Sequence, residues 1–115
     1  MNLGTHYIAL SVKDIVASKA FYEKLGFVQD ERWGGVEQKW LMMLNSDLKI
    51  GLFQDMFPQN VLTFNPTDAR AIYKEVKSQG LAIAQEGNMD KESGPCHFSL
   101  LDPDGNPVLI DQHND

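Results

Sequence analysis

The feature that most constrains this chain is a pattern met twice. Asp14 stands ahead of an amphipathic stretch that runs to Gly26, twelve residues on, and Asp68 and Gly80 repeat the spacing 54 residues later. An aspartate accepts the orphan amide bonds at a helix start. A glycine takes the left-handed conformation that ends one. Between cap and stop, Ile15, Ser18, Tyr22 and Leu25 recur at spacings of three and four, and Ile72, Tyr73 and Val76 share one face in the second copy. Each helix follows a run of alternating residues. These are His6–Val12, with Ile8, Leu10 and Val12 on one face, and Val61–Asn65, with Leu62 and Phe64 on one face. Three strand-like runs follow each helix: Phe27–Arg32, Val36–Leu44 and Leu48–Phe53, then Leu81–Glu86, His97–Leu101 and Pro107–Gln112. Gly34-Gly35, Asn45-Ser46-Asp47 and Asp102–Asn106 supply turn signals. The reading is α+β, two βαβββ modules in one domain over residues 1–115. Module one covers about 1–56 and module two about 57–115. Gly87–Pro95 is the longest loop and the candidate mobile flap.

Composition narrows the partners. The 115 residues are 43% hydrophobic and 23% charged, which suits a packed core. The longest unbroken apolar run, Trp40–Leu44, is far short of the roughly 20 residues a membrane span needs. A net charge of −6 disfavours nucleic acid and anionic membrane surfaces and suits a neutral or cationic ligand. Cys96 is the only cysteine, so an intrachain disulfide is impossible. The opening MNLGTHYIAL lacks the basic region and long apolar core of a secretory signal, and the cytoplasm is the expected compartment.

The run HYIALSVKDIVASKAFYEKLGF and the closing LLDPDGNPVLI resemble the vicinal-oxygen-chelate superfamily, which includes glyoxalase I, extradiol dioxygenases and bleomycin-resistance proteins. The resemblance covers essentially the whole chain. It implies two βαβββ modules whose sheets curl into a cupped, ligand-holding trough. Metal-dependent members of that family place one ligand on each of four strands. The matching positions here are Tyr7, Gly51, Val61 and Leu109. Glycine, valine and leucine offer no donor, and neutral tyrosine is a poor one. No metal or other cofactor is therefore expected, and no catalytic residue is assigned.

Three histidines stand near enough to matter. His6 is one residue off the ligand position and so faces the opposite side. His97 has trough parity, and His113 lies by the C-terminus. Cys96 and His97 are strand neighbours and point to opposite faces. The same parity places Tyr7, Trp40, Met42, Phe53, Thr63, Asn65, His97 and Ser99 in the trough as candidate ligand-binding residues, with Gly51 leaving room among them. Trp, Met and Phe form adaptable apolar walls. The expected function is that of a metal-free binding protein like the bleomycin-resistance branch, sequestering a drug-like or cationic aromatic molecule. The alternative is a glyoxalase- or dioxygenase-like enzyme with a displaced metal, or an acid–base site using His97 or Tyr7. A homodimer is expected, with Met56-Phe57 contributing to its seam.

Overall fold

The computed structural model of the protein describes residues 1–114. Among them the chain forms β1 (Thr5–Val12), α1 (Ile15–Lys24), β2 (Val28–Gly35), β3 (Trp40–Asn45), β4 (Leu48–Gln54), β5 (Val61–Asn65), α2 (Ala69–Ser78), β6 (Gln85–Gly87), β7 (Cys96–Leu101) and β8 (Pro107–Gln112), with a 3-10 turn at Val36–Gln38. The fold is α+β, and the order βαβββ occurs twice. Contacts divide the chain into two compact units. The first module is Tyr7–Val61; the second joins Met1–His6 to the chain from Leu62 onward.

Both helices begin and end by the same chemistry. The Asp14 carboxylate accepts from the amides of Val16 (3.1 Å) and Ala17 (3.2 Å), and Asp68 accepts from Ala71 (3.0 Å). Neither aspartate reaches the first helical amide, and a glutamine at the end of a distant strand does so each time. Gln54 Oε1 accepts from Ile15 (2.9 Å) and Gln112 Oε1 from Ala69 (2.7 Å). At the other end Gly26 (φ 95°) and Gly80 (φ 83°) turn left-handed. The residue beyond each then donates back, Phe27 to Tyr22 and Leu81 to Val76, both at 3.1 Å. Carbonyls otherwise orphaned are thereby satisfied.

In the first module the strands lie in the order β2-β3-β4-β1, with β4 parallel to β1. Leu10, Val12, Leu41, Met43, Ile50 and Leu52 pack with Ile15, Tyr22 and Phe27. In the second the order is β5-β8-β7-β6, with β8 parallel to β5. There Phe64, Cys96, Phe98, Leu100, Val108 and Ile110 pack with Ala69, Ile72 and Val76. Alternation thus puts every second residue against a helix and frees its neighbours for the other face.

Several local expectations are corrected. Leu25 is the C-cap residue and is exposed, so Tyr22 and Phe27 close that end by an edge-to-face contact at 5.3 Å. Leu62 is also exposed. Gly34-Gly35 lies inside β2, and the chain reverses instead through the 3-10 turn and Lys39 (φ 67°). Residues 81–84 form no strand; the Leu81 amide closes α2, and the Ala84 amide donates to the Ser99 carbonyl at 2.8 Å. In β2 the pairing with β3 breaks between Gln29 and Gly34, leaving Asp30–Trp33 bulged opposite Met42.

Candidate functional site

On the first module the face away from α1 is aromatic. Trp40 of β3 pairs with Phe53 of β4, Met42 with Gly51, and Gly51 with Ala9 of β1. The Phe53 ring stacks on Trp40 (6.1 Å between centroids, 7° between planes) and on Tyr7 (6.3 Å, 18°). Phe57 meets Phe53 edge-on at 5.2 Å, so this half of the Met56-Phe57 pair packs within its own module while Met56 stays exposed. Lys49 Nζ lies 5.4 Å from the centre of the Tyr7 ring. Tyr7, Met42 and Phe53 are each 8% exposed, and Trp40 is half-buried at the border of the stack.

The room expected at Gly51 is occupied. A Cβ there would stand 2.5 Å from Phe53 Cε1 and 3.1 Å from both Met42 Sδ and Tyr7 Cε2. Glycine is required at Gly51 because the Phe53 ring already fills the space a side chain would take.

On the second module the corresponding face sets polar side chains around Leu109. Thr63 and Ser99 both pair with Leu109, giving one row across β5, β8 and β7. Thr63 is fully buried. The Asn65 side-chain amide donates to the Asp111 carbonyl at 3.0 Å. His97 is exposed, pairs with Gly87 and Asp111, and lays its imidazole against Gly87. Asp111 is the residue sequence reasoning missed. It stands two residues beyond Leu109, so the same alternation would have found it, and its carboxylate lies 3.2 Å from His113 Nε2. His6 sits against Phe64 (6.1 Å), a residue of the second module's helix-side core.

The eight candidate residues therefore form two groups. Tyr7, Trp40, Met42 and Phe53 share a face of the first module; Thr63, Asn65, His97 and Ser99 belong to the second. Cavities open on the other faces. One of about 370 Å³ lies between β1 and α1, and one of about 410 Å³ lies between α2 and the β7–β8 pair; none of the eight residues lines either.

Asp30 and Cys96 are among the ionisable groups displaced from their ordinary values. The Arg32 guanidinium grips Asp30 through Nε (2.9 Å) and Nη2 (2.7 Å) and holds its carboxyl at about 2, against partial burial that pushes it upward. Burial pushes the Cys96 thiol up; it faces the α2 core, away from His97.

The metal implied by the resemblance does not fit these residues. Gly51, Val61 and Leu109 bring no donor, and the space at Gly51 is filled by a ring. Among the described residues no group of three or more His, Cys, Asp or Glu is placed to hold a metal ion. None of the helices formed by those residues is long and apolar enough to cross a membrane.

Comparison with known proteins places this geometry. No curated protein matches the sequence. A glyoxalase/bleomycin resistance protein/dioxygenase superfamily member from Vibrio splendidus is 16% identical, with a TM-score of 0.68 over 94% of this chain and 97% of that one. An NAD-dependent benzaldehyde dehydrogenase from Legionella pneumophila is 18% identical, with a TM-score of 0.71 over 96% of this chain and 100% of that one. Methylmalonyl-CoA epimerase from Mycobacterium tuberculosis is 15% identical, with a TM-score of 0.64 over 97% of this chain and 89% of that one. At these identities the likeness shows the fold. The family model matches residues 4–110, so the chain belongs to the Glyoxalase/Bleomycin resistance protein/Dioxygenase superfamily.

Proposed function

We propose that this superfamily member binds a small, planar organic molecule without a metal. The observation that carries the reading is the Tyr7–Phe53–Trp40 stack, packed over Gly51 where a metal ligand would project. The stack turns the metal position into an aromatic floor. A ligand would rest on this floor against the half-buried Trp40, and not in a hollow beneath it. Aromatic faces attract planar rings and cations, and the net charge of −6 favours a cation. Asn65, His97 and Ser99 are proposed as polar contacts on the second module's own face, where Thr63 is fully buried. The enzyme alternative lacks a donor set for its metal form.

The test uses proflavine, a planar cation, and 2-naphthol, a neutral planar counterpart, followed by Trp fluorescence and thermal shift. A ligand at a hundred times its dissociation constant should stabilise the fold by about 2.7 kcal/mol. Trp40→Ala should weaken binding several-fold to about tenfold, the worth of one aromatic stack. No stabilisation by either compound, or equal binding by Trp40→Ala, would overturn the proposal.

We further propose a cytoplasmic homodimer. Free Cys96 supports the compartment. The exposed Val16, Phe21, Leu25 and Met56 supply apolar surface for the pairing. Sedimentation at tens of micromolar should give twice the chain mass; a stable monomer would refute the dimer.

A further inference from the structure

Residues 88–95, between β6 and β7, are held against the start of α2 chiefly by one side chain. Arg70 is the second residue of α2. Its Nε donates to the carbonyl of Lys91, its Nη1 to that of Gly94 (3.0 Å), and its Nη2 to those of Asn88 (3.2 Å) and Ser93 (3.1 Å). Four carbonyl dipoles of one segment therefore converge on one guanidinium, whose rigid fork of five N–H groups suits several acceptors at once. Gln112 Nε2 adds a bond to Gly94 O at 3.2 Å, and Met89 tucks against the second module's core. The segment ends at Pro95, beside Cys96, which is 2% exposed. The expected flap is thus fastened on the helix side of its module.

The internal repeat provides a control. Counting two residues from each capping aspartate, Arg70 corresponds to Val16, which is 61% exposed. In the first module β2 and β3 are joined only by a short 3-10 turn. The cation and the long segment occur together, in one module alone.

We propose that residues 88–95 form a strap that opens and closes as a unit, with Arg70 as its latch and the Cys96 thiol shielded while it is closed. When the guanidinium is removed, four carbonyls lose their common donor, and the remaining anchors are Met89 and the single amide bond from Gln112. A lysine at position 70 keeps the charge but is a compact donor that cannot span the four acceptors. The strap is independent of whether His97 touches a ligand.

Cys96 is the only cysteine, so the rate of its reaction with a colorimetric disulfide reagent reports opening directly. Arg70→Met should label on the order of tenfold or more faster than the parent, the size expected when hydrogen bonds to a charged group are lost. Its labelling should depend on urea far more weakly than global unfolding does, because a local opening exposes little surface. Arg70→Lys should fall between the two. Arg32→Met, which removes a guanidinium from the other module, should label like the parent. Labelling of Arg70→Met no faster than the parent, or faster only with the urea dependence of global unfolding, overturns the latch. Should Arg70→Met fail to fold, the parent's own labelling decides: reaction of Cys96 with a urea dependence well below that of global unfolding supports the strap, and reaction only through global unfolding overturns it.

Discussion

The two modules follow the same path with different chemistry at matching positions. The glutamines that cap the helices, Gln54 and Gln112, align the ends of β4 and β8. Phe53 then matches Asp111, and Gly51 matches Leu109. Trp40 matches His97 in another way, since each lies across from a glycine of the preceding strand, Gly35 or Gly87. The first module covers its helix-free sheet face with stacked rings; the second sets hydroxyls, an amide, an imidazole and a carboxylate around Leu109. The difference teaches that the repeat conserves the devices ending helices and strands. Those devices are backbone chemistry, indifferent to what the free face carries.

The largest test of that contrast is Phe53→Ala. Removing a buried ring wedged between Tyr7 and Trp40 should cost about 3–5 kcal/mol in urea unfolding. Asp111→Ala, at the matching place, should cost less than about 1 kcal/mol, since its partner His113 is exposed. Equal losses would end the distinction between a packed face and an open one.

The capping glutamines sharpen the comparison from the other side. Gln54→Ala and Gln112→Ala should each lose about 1 kcal/mol, the worth of a hydrogen bond to a helix-start amide. Gln112→Ala should lose more, because its Nε2 also donates to Gly94 and Asn114. A smaller loss at Gln112 would show that the second module does not use that residue to join helix to strap.

The smallest effect is in pH. The first module holds its guanidinium with a carboxylate, Asp30, and the second holds Arg70 with carbonyls. Asp30 is lowered from 3.8 to about 2, so the stability it contributes is complete above pH 3.8 and is lost as pH falls through about 2. Denaturation measured from pH 5 to 2 should show a steeper loss for the parent than for Asp30→Asn. Parallel curves would mean that the exposed guanidinium of Arg32 lends nothing. The Arg70 bonds have no acid to protonate and should not respond over that range.

Much of this was legible in the sequence because it is local. Asp14, Gly26, Asp68 and Gly80 act within a turn of their own position, and alternation alone separated Phe98 from His97. The parts that escaped depend on partners distant in sequence. Gln54 reaches Ile15 and Gln112 reaches Ala69 across 39 and 43 residues, and Arg70 binds carbonyls 18 to 24 residues away. The Gly51 error was one of direction. A missing side chain reads as space, but it equally admits a neighbour, and the orientation of Phe53 decided which.

The bulge at Asp30–Trp33 bears on how copies of this chain meet. β2 ends the strand order of its module, and an unbroken terminal strand would present a ladder of amides and carbonyls to any other extended chain. Here the ladder is interrupted opposite Met42, and the interruption is fastened by the Asp30–Arg32 fork. Val28 and Trp33 are exposed on that strand, and the bulge makes it a poorer template for a second extended chain. Strand addition, which has no natural end, is thereby disfavoured at this edge, whereas contacts between side-chain surfaces can stop at two copies.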